Sequence, residues 1–168
     1  MPIARYIDWI TTTPLLMYEL GHLAHASTAN TMMLVGSDIL MIAAGILSAC
    51  LDRQRQYRMM LFYFAVSCVF YVVMLCIINV RLANGTVLQQ TDSVQELFGY
   101  LKILTSTVWT FYPIVVFLGR AQCHLISKNT EDCLLCFLDL AAKLGMEGLI
   151  IAFAVFSVDG SDGSDGSA

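Results

Sequence analysis

Five stretches of about twenty predominantly apolar residues, joined by short polar segments, leave this chain very few ways to fold. They cover roughly 2–23, 30–51, 57–80, 94–118 and 130–158, with polar joints at 22–28, 52–56, 81–93 and 119–129. Of its 168 residues, 58% are hydrophobic and 13% charged. A soluble domain carries about 25% charged residues, so this chain cannot cover a water-facing surface, and its solvent is lipid. In lipid each backbone N–H and C=O must find its partner within the protein, which selects helices here. The expectation is an all-α membrane protein with five transmembrane helices, an integral multi-pass chain in a bilayer. One bundle spans 1–158, and an Asp-Gly-Ser segment over 159–168 is a flexible tail. Pro14 and Pro113 fall inside helices, which membrane bundles tolerate. There is no internal repeat, and the N-terminus has neither the basic region nor the small-residue cleavage site of a signal peptide.

The net charge of -4 is scattered and offers no basic footprint for nucleic acid. Cys133 and Cys136 form a C-x-x-C, but it sits in an apolar helix with no second ligand pair or nearby histidine. They read as small hydrophobes, not as metal ligands. No nucleophile–base set or phosphate loop appears, so enzyme chemistry is not expected.

An ionisable side chain within a membrane helix is expensive, which makes each one a candidate for function. The fifth helix has Asp139, Lys143 and Glu147 at i, i+4 and i+8, on one face. The first has Arg5, Asp8 and Glu19, and the second has Asp38. Asp8 and Thr12 stack on one face, while Glu19 lies about three turns, roughly 16 Å, farther along the axis. Burial disfavours a charged amine, and a neutral amine forms Schiff bases readily. Periodicity alone leaves two readings of Lys143 open: a Schiff-base lysine with carboxylate counter-ions, or a structural ion pair that pins two helices.

Local sequence decides between them. Arg5-Tyr6-Ile7-Asp8-Trp9-Ile10-Thr11-Thr12-Thr13-Pro14-Leu15-Leu16 resembles the third-helix motif of the microbial (type 1) rhodopsins, R-Y-x-D-W-x-x-T-T-P-L-L. Leu138-Asp139-Leu140-Ala141-Ala142-Lys143-Leu144-Gly145 resembles their seventh-helix motif, L-D-x-x-A-K-x-G. Trp109-Thr110-Phe111-Tyr112-Pro113 resembles the sixth-helix W-x-x-Y-P, and Leu34-Val35-Gly36-Ser37-Asp38 with Met41 and Gly45 resembles the fourth helix. Four motifs in family order make the chain similar to helices three to seven of the seven-helix bundle, with bacteriorhodopsin and proteorhodopsin as the nearest types.

The resemblance implies all-trans retinal as cofactor, bound to Lys143. Asp8 would be primary counter-ion and proton acceptor, hydrogen-bonded by Thr12, and Asp139 the second counter-ion. Arg5 would gate proton release towards Glu131, whose usual partner position holds Ala121. Glu19 would be the proton donor from the cytoplasmic side, keeping its proton until needed. Trp9, Leu16, Met41, Gly45, Trp109, Tyr112, Pro113 and Ala142 would line the polyene, with Leu16 and Ala142 favouring green absorption. Thr13 and Asp38 would tie two helices together. The function implied is a light-driven outward proton pump moving protons across the bilayer. A light-gated channel or sensory photoreceptor on the same scaffold, and a non-photoactive fragment, are the alternatives. Family members often form trimers or pentamers, so a homo-oligomer is possible.

The sequence departs from the family in several places. The first two of the seven helices have no counterpart, which implies a fragment or truncated gene product. Arg53, Arg55 and Arg58 in the second joint, with Arg120 and Lys128 in the fourth, would lie in the cytoplasm by the positive-inside rule. The family orientation puts the second joint outside. Glu147 stands where the family has a small or apolar residue. It reads either as an extra relay or cation-path carboxyl, or as a hydrogen bond to a neighbouring helix. His22 and His25 read as interfacial histidines or as a proton antenna. Asn84-Gly85-Thr86 is a glycosylation acceptor motif, idle if its joint is cytoplasmic.

Overall fold

The computed structural model describes residues 3–119, 123 and 125–162. It has five long helices: α1 (Ile3–Leu23), α2 (Thr28–Cys50), α3 (Arg53–Cys76), α4 (Asp92–Leu118) and α5 (Lys128–Asp162). The described residues contain no strand. α2, α4 and a helical run through Gln54–Gln89 are long and apolar enough to cross a membrane. α1 and α5 are the helices that carry Arg5, Asp8, Glu19, Asp139, Lys143 and Glu147.

The polar joints end and start the helices by capping them. Ser27 and Asp52 precede α2 and α3 in extended conformation, and their side chains accept from the backbone N–H of Asn30 and Gln54. α1 closes at His25, the one described non-glycine residue with positive φ (48°). Within α1, Pro14 can donate no hydrogen bond to the preceding turn. The carbonyl that loses its helical partner is that of Ile10; in the turn before it Thr11 and Thr12 donate to the carbonyls of Ile7 and Asp8 at 2.8 Å, and the Thr13 hydroxyl lies 2.8 Å from the Trp9 carbonyl.

One joint differs from expectation. The segment 81–93 is helical over most of its length: α3 passes into a π-helical stretch, Ile77–Thr86, and a short 3-10 turn, Val87–Gln89. Ile77, Leu82 and Val87 are all buried, one every fifth residue. A helix closed by i to i+5 hydrogen bonds returns those positions to one face, whereas an α-helix would rotate them away. Burial of these side chains therefore outweighs the turn preference of Asn84 and Gly85. Asn84 stands exposed on this stretch and donates weakly to the carbonyl of Asn79. At the far end, α5 runs on through Asp162, four residues into the stretch assigned to the tail.

Met17 and Leu20 of α1, Leu34 of α2, Met74 of α3, Phe98 and Leu101 of α4 and Met146 of α5 converge with Ile78 in one core. A second cluster joins α4 and α5 around Val115, Leu135 and Leu138, with Trp9 packed against it. Tyr112 touches both clusters, and the polar residues of α1 and α5 meet between them. The outer faces carry exposed large apolar side chains such as Leu15, Phe62, Val69, Phe137 and Leu144, as a lipid-facing surface requires. Gly145 keeps α4 and α5 close, since a Cβ there would meet Leu104 Cδ2 at 2.8 Å.

α1 and α2 are also tied by a buried polar bond, Thr13 Oγ1 to Asp38 Oδ2 at 2.8 Å. Asp38 is fully buried, and its other carboxyl oxygen has no hydrogen-bond partner among the described residues. Thr13→Val leaves the Asp38 carboxyl without its side-chain partner, and removing one half of such a bond costs about 1–3 kcal/mol. The variant is expected to unfold at lower temperature than the parent in detergent. Thr13→Ser, which gives up the methyl but keeps the hydroxyl, is expected to lose much less.

Candidate functional site

Long side chains of α1 and α5 reach across to one another, and their ionisable residues pair there. Lys143 Nζ sits 2.5 Å from Asp8 Oδ2, a salt bridge between residues 135 apart in sequence. Asp139, one turn before Lys143, is engaged differently. Its Oδ1 accepts from the indole N–H of Trp9 and the hydroxyl of Tyr112, both at 2.7 Å. Its Oδ2 lies 3.7 Å from Arg5 Nε. The two carboxylates therefore have distinct partners: Asp8 takes the lysine, and Asp139 takes two neutral donors and a share of the guanidinium.

Arg5 makes its closer contacts elsewhere. Nη1 reaches Asp132 Oδ1 and Nη2 reaches the Asp132 carbonyl, each at 3.2 Å. Asp132 did not emerge from the sequence reading, although it stands seven residues before Asp139. Two helical turns place the two on one face of α5. Glu131, the expected release carboxyl, packs against the C-terminal end of α4: a Cβ on Gly119 would meet its carboxyl at 2.5 Å. Ala121, at the position of its usual partner, lies outside the described residues.

Lys143 projects into a predominantly apolar cavity between the helices. Trp9, Thr13 and Leu16 line it from α1, Met41 and Gly45 from α2, Trp109, Tyr112 and Pro113 from α4, and Ala142 from α5. The sequence-predicted chromophore residues are thus brought to one wall system. Tyr112 stands edge-on to Trp9, with ring centroids 5.3 Å apart. Trp109 is almost fully buried. Asp139 also borders it, and Tyr6, Ile42, Ser48, Ala49, Phe64, Ser67, Cys68, Tyr71 and Val116 complete the lining. Four of these come from α3, for which the sequence offered no motif. α3 contributes polar groups: Ser67 donates to the Met41 carbonyl at 2.8 Å, and the Tyr71 and Thr110 hydroxyls share a hydrogen bond.

The remaining expected residues fall outside this cavity. Thr12 donates to the backbone carbonyl of Asp8, not to its carboxylate. Glu19 is exposed farther along α1, and Glu147 is exposed on α5 one turn beyond Lys143. His22 stacks on Tyr18 with rings 10° from parallel, and His22 and His25 border a separate cleft between α1 and α2. Cys133 and Cys136 are exposed free thiols on the outer face of α5.

An apolar cavity lined by a lysine, a carboxylate one turn before it and convergent aromatic rings, in a bundle of long apolar helices, defines a helical membrane protein built around a half-buried amine. The matching family model, described as "Bacteriorhodopsin-like protein", covers residues 1–158. This chain belongs to the bacteriorhodopsin-like family. It is 30% identical over 148 residues to bacteriorhodopsin of Halobacterium salinarum, covering 88% of this chain and 55% of that protein. Thermophilic rhodopsin from Rubrobacter xylanophilus superposes with a TM-score of 0.84 at 30% identity, over 89% of this chain and 66% of that one. A structure titled as a light-driven proton pump from Leptosphaeria maculans superposes with a TM-score of 0.84 at 26% identity, over 94% of this chain and 62% of that one. The chain spans little more than half the length of the first curated relative.

The hydrogen bonds that Trp9 and Tyr112 give Asp139 fix where that carboxylate points. Loss of a hydrogen bond to a charged group costs about 1.5–3 kcal/mol. Trp9→Phe and Tyr112→Phe are each expected to lower the unfolding temperature and to shift the Asp139 carboxylate stretch in isotope-edited infrared spectra. The double variant is expected to do both more strongly.

Proposed function

We propose that this chain is the retinal-binding part of a light-driven outward proton pump. The observation that carries the reading is the Lys143 Nζ–Asp8 Oδ2 contact at 2.5 Å, with a second carboxyl, Glu19, on the same helix farther along its axis. The cavity residues fit retinal. Lys143 supplies an amine for covalent attachment, and the walls are aromatic and aliphatic along its length. Gly45 leaves room beside Ser67, whose Oγ is 3.6 Å from where a Cβ would stand. Bound through Lys143, retinal supplies light absorption and a change of shape.

The chain's own groups then handle one proton. Asp8 Oδ2 is the nearest acceptor to the Lys143 nitrogen, which makes Asp8 the group that takes the proton. Asp139 is held by Trp9, Tyr112 and Arg5, and acts as the fixed negative charge of the site. Glu19 returns a proton from the opposite side. Acceptor and donor lie at different depths of α1, so the proton leaves and arrives at different ends and transport has a direction. No substrate bond is made or broken, so the activity is transport, not enzymatic turnover. Protons, retinal and lipid are the partners, and a homo-oligomer is compatible with the apolar outer faces.

A second reading has one observation in its favour. Glu147 adds an exposed carboxyl one turn beyond Lys143, and with Glu19, also exposed, it suits a cation path through a light-gated channel. Photocurrent at zero voltage without ion gradients separates the two. A steady outward current, abolished in Asp8→Asn and slowed about 100-fold or more in its recovery by Glu19→Gln, is expected of the pump. A current that reverses with the ion gradient would establish the channel. Glu147→Gln with unchanged recovery would remove any relay role for that residue.

A further inference from the structure

Arg5 is one cation shared between two carboxylates of α5, and the sharing is unequal. Both terminal nitrogens go to Asp132, one to its carboxylate and one to its carbonyl, while Asp139 is left with Nε at 3.7 Å. A guanidinium is a planar fork with five donors, so anchoring both Nη groups fixes its plane and its reach. Arg5 is mostly buried, with its side chain 16% exposed, so this placement is set within the protein. Asp132 and Asp139 are seven residues apart on one face of α5, and Arg5 bridges them from α1. The adjacent acid, Glu131, is turned to Gly119 at the end of α4.

We propose that Asp132 is a positioning residue that holds Arg5 away from the Lys143–Asp8 pair, so that Asp139 keeps its negative charge at the site. Without Asp132, the carboxylate left within reach of Arg5 is Asp139 Oδ2, and the fork closes on it. Asp139 then becomes half of a tight Arg–carboxylate pair, and the net negative field at the Lys143 nitrogen falls. The division of labour between Asp8 and Asp139 thus depends on a residue two turns away that touches neither the cavity nor Lys143. The inference deepens the proposed retinal-binding function and rests on it for its spectral consequence alone.

The test uses the full chain in lipid membranes, with Asp132→Asn, Asp132→Glu, Arg5→Gln and Asp132→Asn/Arg5→Gln. In retinal-free samples, solid-state NMR with labelled arginine and aspartate reads which carboxyl carbon lies beside the Arg5 guanidinium. The expected result is that the parent and Asp132→Glu show the closer contact to Asp132, and that in Asp132→Asn the Arg5–Asp139 contact shortens and becomes the stronger one. After addition of all-trans retinal, Asp132→Asn is expected to shift the visible band to longer wavelength, because the negative field beside the cationic nitrogen is weakened. Asp132→Glu is expected to restore the parent band, and Asp132→Asn is expected to add no shift in the Arg5→Gln background. An Arg5–Asp139 contact unchanged by Asp132→Asn would overturn the proposal. So would an equal band shift with and without Arg5, since Asp132 would then not act through it. Failure of retinal binding would show as no visible band in any sample, parent included, and the NMR comparison would still decide the placement of Arg5.

Discussion

A lysine inside a membrane bundle has to be neutral, paired or covalently modified, and the placement of Lys143 imposes that choice on everything around it. Its partner cannot be supplied by lipid. It comes from Asp8, on the helix farthest from it in sequence, through a contact of 2.5 Å. That pair brings the first and last helices of the chain together. Between α1 and α5, where few apolar side chains interlock, the polar contacts of Arg5, Asp8 and Trp9 with α5 fix the alignment.

From that alignment the rest of the site follows. With Asp8 committed to Lys143, Asp139 is free to accept from Trp9 and Tyr112, and these two bonds draw α1 and α4 against α5. The same two aromatic residues form walls of the cavity into which Lys143 projects. Positioning of charge and shaping of the pocket are therefore done by one set of side chains. α2 and α3 close the far side, where the Thr13–Asp38 bond fixes α2 against α1 and Ser67 binds the α2 backbone at Met41. Gly145 faces α4 at the same helix pair, where a Cβ would meet the Leu104 side chain at 2.8 Å.

Much of this was legible in the sequence because the chemistry is concentrated at few positions. Charged residues are so rare in the apolar stretches that Arg5, Asp8, Asp139 and Lys143 stand out, and their spacing on two helices limits how they can pair. The cavity walls from α1, α2 and α4 were legible through motifs rich in tryptophan, proline and glycine. The walls from α3 were not: that helix is apolar on nearly every side, and no periodicity singles out Phe64, Ser67, Cys68 or Tyr71. Asp132 escaped notice because it lies close to the polar joint, where acids are ordinary, and its seven-residue offset from Asp139 gains meaning only once Arg5 is seen to reach both. The π-helical continuation of α3 was hidden by Asn84 and Gly85, whose turn preference is local. The burial that overrides it at Ile77, Leu82 and Val87 comes from tertiary packing.

The central claim is that the amine of Lys143, beside Asp8, is the attachment point for retinal. The most direct measurement is the visible absorption spectrum of membranes carrying this chain after addition of all-trans retinal, beside a Lys143→Ala control. A red-shifted band in the parent that is absent from the control is the predicted result. A band of equal strength in both, or none in the parent even when a two-helix N-terminal piece of a relative is supplied in trans, would contradict it.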